Sequence, residues 1–154
     1  MVQTQEFGRS LPMMLYRALD AVMPRFRRIF NEFGLTEQQW RVLRMLWEND
    51  EVAVRVLSET TLLPAPSLVG VIDRLCKQGL VARRRSETDR RNVFVYATEK
   101  GRDLHRKVQP RVDETYAELR ASIDADHWEE LIRGLERIAA LGEEEPAQRP
   151  VVNQ

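Results

Sequence analysis

Residues Leu63–Thr98 read LPAPSLVGVIDRLCKQGLVARRRSETDRRNVFVYAT, and this stretch decides the fold. It predicts a short helix followed by a two-stranded β-hairpin. Pro64 and Pro66 mark the start of the helix, because proline is well tolerated in a first helical turn. Gly79 is placed to end the helix, and Leu80 to fold back onto its last turn.

The predicted helix has two faces of different character. Its inward face is predicted to hold Leu68, Val69, Ile72, Leu75 and Cys76. Its outer face is small near the start and basic near the end, and it carries Ser67, Gly70, Val71, Arg74 and Lys77. That profile is typical of a helix that lies in the major groove of DNA.

The hairpin concentrates positive charge. Two strand-like runs, Val81–Arg85 and Asn92–Ala97, are joined by a polar turn at residues 86–89. Seven basic residues stand against three acidic ones between Leu63 and Arg91, although the whole chain balances at 24 against 24. Basic charge segregated in this way indicates nucleic-acid binding, although a solvated basic hairpin would look similar.

Composition restricts the class of protein. The 154 residues are 43% hydrophobic and 31% charged, which fits one ordinary globular domain. We expect a cytoplasmic protein without a membrane segment, because no apolar run approaches the ~18 residues that span a bilayer. One cysteine and two distant histidines predict neither a disulfide nor a metal site. Without a nucleophile elbow or a phosphate loop, we expect no enzyme activity and no cofactor.

The residues before the hairpin predict three further helices. The first spans residues 10–33, with Ser10 as its N-cap and Gly34 placed to end it. The second begins at a capping box formed by Thr36 and Gln39. The third, at residues 54–62, leads through a tight turn into the opening stretch. Two short helices separated by a tight turn and followed by a hairpin make a winged helix-turn-helix.

Two more helices are predicted after the hairpin. Thr98 caps one at residues 99–122, and Asp124 caps another that ends at Gly142. The terminal helices carry more apolar surface than a small domain can cover, which favours an intertwined homodimer. The predicted organisation is an N-terminal arm, dimerisation helices, a DNA-binding region and a flexible tail, at residues 1–9, 10–34 with 99–142, 35–98 and 143–154.

The order of these elements resembles the MarR family of ligand-responsive transcriptional regulators over Ser10–Leu141. The motifs that carry the resemblance are Leu75-x-x-x-Gly79-Leu80-Val81, Asp89-Arg90-Arg91 and Thr98-Glu99-x-Gly101. It implies a mainly α fold with a small β-wing, whose N- and C-terminal helices form the dimer interface. Several shorter segments are similar to family members that regulate the breakdown of aromatic acids: Arg9-Ser10-Leu11-Pro12, Arg17-Ala18, Leu35–Arg41 and Pro66-Ser67-Leu68-x-Gly70.

The resemblance also implies a set of DNA contacts. In the family an Asp-x-Arg pair at the wing tip lets the carboxylate orient a guanidinium in the minor groove, and here the pair is Asp89 and Arg91. The predicted phosphate contacts are Arg84, Arg85 and Arg90. The predicted base-edge or groove-wall residues are Pro66, Ser67, Gly70, Val71 and Arg74. The alternatives are a surface ion pair for Asp89 and Arg91, and a bridge from Arg74 to Asp73 or to the wing.

An effector site is implied at the junction of the dimer helices and the winged domain. The candidates are Arg9, Ser10, Met13, Arg17, Trp40 and Arg41. Guanidinium groups bind carboxylates through paired hydrogen bonds, and Trp and Met side chains can form the walls of an apolar pocket. Such a site suits a small aromatic carboxylate such as a phenolic acid. Arg17 and Arg41 could instead bridge subunits or face solvent. We expect Cys76 to be a core residue and His105 to be solvated.

These features predict a homodimeric repressor of an aromatic-acid catabolic operon, such as one for hydroxyphenylacetate breakdown. It would bind a palindromic operator in double-stranded DNA and be released by a phenolic acid. The alternatives are a regulator of stress or drug resistance with another effector, an architectural DNA-binding protein, and a small ligand-binding or catalytic protein.

Overall fold

The computed structural model describes residues 6–89 and 92–142. Within them the α-helices are α1 (Leu11–Glu32), α2 (Glu37–Glu48), α3 (Val54–Thr61), α4 (Ala65–Lys77), α5 (Glu99–Ile123) and α6 (Ala125–Ala140). The strands are β1 (Val52–Ala53), β2 (Val81–Arg85) and β3 (Val93–Ala97). The predicted tail at 143–154, most of the arm at 1–9, and Arg90 and Arg91 lie outside the described residues.

The capping box at the start of α2 is confirmed. The Thr36 hydroxyl accepts a hydrogen bond from the Gln39 amide at 3.1 Å, and the Gln39 side chain accepts one from the Thr36 amide at 2.9 Å. Gln39 is only 2% exposed, and its side-chain amide donates to the Gln78 side chain at 3.3 Å. The cap therefore also joins the start of α2 to the end of α4.

Two glycines end helices as predicted. Gly34 follows α1 with φ 68°, and the Leu35 amide donates to the Phe30 carbonyl at 2.9 Å. Gly79 follows α4 with φ 71°, and the Leu80 amide donates to the Leu75 carbonyl at 3.0 Å. A left-handed backbone after a helix favours glycine, because glycine has no Cβ to clash there.

Two other capping predictions are wrong in their hydrogen bonds, although both residues occupy N-cap positions. A short 3-10 helix, Phe7–Arg9, precedes α1, and the Ser10 hydroxyl donates to the Phe7 carbonyl at 2.9 Å instead of accepting from α1. Asp124 has φ 76° and makes no side-chain cap hydrogen bond, and its carboxylate lies 4.0 Å from His127 Nδ1.

The wing has three strands, where the sequence predicted two. β3 pairs antiparallel with β2 over its whole length and also with β1, so the strand order is β1-β3-β2. β1 is only two residues long, and a run that short shows no alternation that a sequence reading could detect. The sheet thereby connects the loop after α2 to the hairpin.

The buried face of α4 differs from the predicted one. Leu68, Ile72 and Leu75 are buried as expected, but Val71 is fully buried and Val69 is 48% exposed. Cys76 is half-buried. The helix is therefore rotated relative to the prediction, and the two valines exchange their expected environments.

The chain divides into two units, Met1–Asp113 and Glu114–Gln154. The first contains the core of α2, α3, α4 and the sheet. In the second, the Tyr116 and Trp128 rings meet edge-on at 6.5 Å, and Arg120 lies 5.5 Å from the Trp128 ring. Among the described residues, no helix has both the length and the apolar character needed to cross a bilayer.

Replacing Thr36 with alanine removes one half of the α2 capping box. We expect the free energy of unfolding to fall by about 1 kcal/mol, because an N-terminal amide of the helix loses its acceptor. Urea denaturation measures this change, with Thr60→Ala on the exposed side of α3 as the matched control. Equal stability of the two variants would contradict the role of the cap.

Gly101 is required where α5 passes the end of α4. A Cβ at this position would lie 2.2 Å from the Leu80 carbonyl oxygen, which is backbone and cannot turn away. We expect Gly101→Ala to lower the free energy of unfolding by about 1–3 kcal/mol in urea denaturation. Gly134→Ala is the control, because a Cβ there meets no atom within 4 Å, and its unfolding free energy should be unchanged or higher.

Candidate nucleic-acid interface and effector region

The outer face of α4 brings together most of the predicted base-contact residues. Pro66, Ser67 and Arg74 are exposed and Gly70 is half-buried. A Cβ on Gly70 would lie 3.5 Å from Arg74 Nη1, so the guanidinium lies over the glycine. This face can approach a DNA groove closely, because its first turns carry little side-chain bulk.

Val71 was predicted to belong to this face, and that prediction is wrong. Its relative exposure is 0%, so the side chain is part of the core between α4 and its neighbours. The sequence gives no local reason to prefer one valine over the other, since both flank the helix positions that carry Leu68 and Ile72.

A salt bridge ties the wing to α4. Arg83 Nη2 on β2 lies 2.6 Å from Asp73 Oδ1. One alternative predicted from the sequence paired Asp73 with Arg74 rather than with Arg83. The consecutive wing arginines 83, 84 and 85 occupy three different environments. For Arg83 the environment is this salt bridge.

Arg84 is engaged by another carboxylate. Its Nη2 and Nε lie 2.6 and 3.2 Å from the two oxygens of Glu51, and its guanidinium lies 5.3 Å from the centre of the Phe94 ring. The hydrogen bond from Arg84 to Glu51 raises the pKa of the guanidinium further. A DNA phosphate would have to compete with Glu51 for Arg84, so its role as a phosphate contact stays a prediction.

Arg83 and Arg85 point to the other side of the sheet from Arg84, as alternation along a strand requires. There they line a groove of about 790 Å³ between α3, α4 and the wing. Its other walls include Arg55, Ser58, Val69 and Ile72. Glu59 also lines the groove, 3.7 Å from Arg55, and Arg83 is paired with Asp73. A phosphate backbone would therefore have to compete with a carboxylate for two of the three guanidinium groups.

The tip of the wing is built around Ser86 and Asp89. The Ser86 hydroxyl accepts from the Thr88 and Asp89 amides at 3.3 and 3.2 Å. The Asn92 amide donates to the Asp89 carbonyl at 2.9 Å, and the Asn92 side chain donates to Asp89 Oδ2 at 3.3 Å. These bonds fix the position of Asp89, while its predicted partner Arg91 lies outside the described residues.

Arg41, a predicted effector residue, joins α2 to α3. It donates to Glu37 Oε1 at 2.7 Å and to the Thr61 carbonyl at 3.3 Å. Arg27 donates to the other Glu37 oxygen at 3.1 Å. Burial acts to raise the pKa of Glu37, but hydrogen bonds and charge from Arg41 and Arg27 outweigh it and lower the pKa.

Trp40, the other α2 candidate, belongs to a row of rings. It stacks on Phe30 at 4.6 Å and meets Trp47 edge-on at 5.3 Å, and Trp47 stacks on His105 at 4.4 Å. His105 Nε2 lies 3.1 Å from Gln109 Oε1. The prediction that His105 is solvated is therefore wrong, because one face of its ring is covered by Trp47.

Arg44 is the guanidinium on the same side of α2 as Trp40. It follows Trp40 by one helical turn, and its Nη1 lies 3.4 Å from Gln109 Oε1 on α5. It also pairs with Glu48 at 2.8 Å. Arg44 was not among the predicted residues, although its four-residue spacing from Trp40 puts both residues on one face of α2.

The remaining effector candidates lie at the other end of α1. Arg9 and Arg17 are exposed, and Ser10 and Met13 are half-buried. Met13 and Phe30 stand ~25 Å apart along α1, at about 1.5 Å per residue. Because Phe30 is the α1 residue that stacks on Trp40, one chain does not bring the two groups of candidates together. Over residues 6–89 and 92–142, no group of three or more His, Cys, Asp or Glu side chains could hold a metal ion.

The chain is similar in sequence to known transcriptional regulators. The sequence profile of the MarR family matches residues 33–92. The homoprotocatechuate degradative operon repressor of Escherichia coli is 32% identical, over 94% of this chain and 98% of its own.

Two solved structures share the fold. NadR in complex with 4-hydroxyphenylacetate superposes with a TM-score of 0.77 at 33% identity, covering 92% of this chain and 99% of NadR. The repressor CouR of Rhodococcus jostii RHA1, bound to a 23-mer DNA duplex, superposes with a TM-score of 0.81 at 27% identity, covering 90% and 99%. The predicted winged-helix fold is thus confirmed, with a third strand added to the wing. The chain belongs to the MarR family, and its relatives are transcriptional regulators.

Proposed function

We propose that this protein is a homodimeric repressor of an operon for aromatic-acid breakdown, released from its operator by a phenolic acid. The observation that carries the proposal is the arginine-lined groove beside the outer face of α4. Guanidinium groups, which suit phosphates, lie there beside a helix face that carries small side chains. The proposal includes no cofactor and no catalytic step, and it locates the protein in the cytoplasm with the DNA.

In this proposal α4 enters a major groove and the wing tip enters the flanking minor groove. Arg85 and Arg55 contact phosphates between them, and Arg91 enters the minor groove with Asp89 limiting its motion. CouR bound to a DNA duplex supports this mode of binding. Half-site centres should lie about one helical turn, ~10 base pairs, apart.

Exposed apolar side chains support the homodimer. In α1, Leu11, Met14 and Leu19 are 48–57% exposed. In α6, Leu131, Leu135 and Ile138 form a second exposed row, which Leu141 continues just after the helix. Contiguous apolar surface of this kind marks an interface, and a twofold partner of the same chain is the commonest way to cover it.

The dimer also explains the separation of the effector candidates. The N-terminal part of α1 lies ~25 Å from Trp40 within one chain. If α1 of one subunit reaches the α2–α5 region of the other, Arg9, Ser10, Met13 and Arg17 come to Trp40 from the partner. Effector binding would then depend directly on the arrangement of the two subunits.

The chemistry of the α2–α5 region suits a phenolic acid. Trp40 offers a flat wall to a ring, and Arg44 offers a guanidinium to a carboxylate. NadR in complex with 4-hydroxyphenylacetate supports this effector class, as does the name of the Escherichia coli relative. Binding must favour the released arrangement of the two DNA-binding heads by only a few kcal/mol, roughly 1–3 in typical allosteric proteins.

Replacing Arg91 with alanine should weaken operator binding. One lost phosphate or groove contact lowers the slope of log K against log salt by about 1. Fluorescence anisotropy over a range of salt concentrations measures both quantities. Arg28→Ala, an exposed arginine of α1, is the control and should change neither. Unchanged binding by Arg91→Ala at physiological salt would refute the assignment of the wing.

The two arginines of α2 give opposite expectations for effector binding. Arg44→Gln should weaken the binding of 4-hydroxyphenylacetate by about 10–100-fold, because a charge-assisted hydrogen bond is lost. Arg41→Gln should retain binding, since its partners are Glu37 and the Thr61 carbonyl. Titration calorimetry on both variants decides between them. Loss of binding only in Arg41→Gln would show that the carboxylate lies on the α3 side of α2.

A further inference from the structure

We infer that Val69 is a specificity residue that recognises the C5-methyl group of a thymine in the major groove. The inference rests on the proposed function, because it assumes that α4 lies in that groove. It deepens that function by naming the chemical feature of DNA that one side chain recognises.

The first support is the exposure of Val69. It is 48% exposed on a helix whose neighbours Leu68, Val71 and Ile72 are fully buried. Val69 therefore lies outside the core, although valine is a typical core residue. An exposed β-branched side chain has one preferred rotamer in a helix, so its two methyl groups are presented in a fixed position.

The second support is the location of Val69. It lines the groove shared by Arg83 and Arg85, next to the small residues at the start of α4. Guanidinium groups on one side of the groove suit the DNA backbone, whereas Val69 can satisfy no phosphate and no polar base edge. The thymine methyl is the one apolar group that bases present in the major groove, and apolar side chains are its partners.

The third support is electrostatic. Asp73 follows Val69 by one helical turn and would repel DNA if its charge were unpaired. Its carboxylate instead lies 2.6 Å from Arg83 Nη2. Glu59 lines the same groove and lies 3.7 Å from Arg55, so each of these two carboxylates lies next to a guanidinium. The surroundings of Val69 are therefore compatible with close approach of a base pair.

The test uses an operator that the purified protein selects from a randomised duplex pool. Each thymine of one half-site is replaced singly by deoxyuridine, which removes the methyl and leaves base pairing unchanged. We expect one position at which the wild-type protein loses about three- to fivefold in affinity, the value for one buried methyl group. In Val69→Ala the loss at that position should vanish, and the effect of deoxyuridine at every other position should match that in the wild-type protein.

Val56→Ala is the matched control, because Val56 is an exposed valine of α3 at 40% exposure. It should keep the wild-type deoxyuridine profile. The inference is overturned if no thymine methyl affects wild-type binding, or if the methyl effect persists in Val69→Ala. If the wild-type protein selects no sequence from the pool, the proposed function fails first, and that result is distinct from a selected operator without a methyl effect.

Discussion

The burial of one face of α4 is the constraint on which the rest of the structure depends. Leu68, Val71, Ile72 and Leu75 are each at most 1% exposed, so the helix has no freedom to rotate about its axis. That rotation decides which residues can meet DNA. It sends Val71 to the core, leaves Val69 outside, and places Gly70 under the Arg74 guanidinium. Close packing makes such an orientation costly to change, since each buried side chain fits its neighbours.

The end of α4 is joined tightly to the start of α5. The Thr98 hydroxyl donates to the Gly79 carbonyl at 2.6 Å, the Thr98 amide donates to the Leu80 carbonyl at 3.0 Å, and Lys100 Nζ donates to the Gln78 carbonyl at 2.8 Å. A shift of the first turn of α5 therefore moves the end of α4 with it. The α5 residues His105 and Gln109 also contact the Trp47 and Arg44 side chains. If the effector binds between α2 and α5, as proposed, a change in the spacing of these helices reaches the end of α4 through these contacts.

Features with local causes could be predicted from the sequence, and those that depend on distant partners could not. The capping box and the two glycine helix ends follow from neighbouring residues, and all three are present. Whether Val69 or Val71 is buried depends on what packs against α4. The Arg84 partner, Glu51, is 33 residues away along the chain. The contact of Arg44 with Gln109 depends on the position of α5, and β1 is too short to leave any pattern.

In the proposed mode of binding, two α4 helices, held at a fixed spacing by a dimer, recognise one operator. The most direct measurement is the affinity of the protein for its selected palindrome and for the same palindrome with five base pairs inserted between half-sites. Half a helical turn places the second half-site on the opposite face of the duplex. We expect the affinity for the duplex with the insertion to fall to that for a single half-site. Equal affinity for both duplexes would contradict it and would indicate a protein that binds DNA without reading paired half-sites.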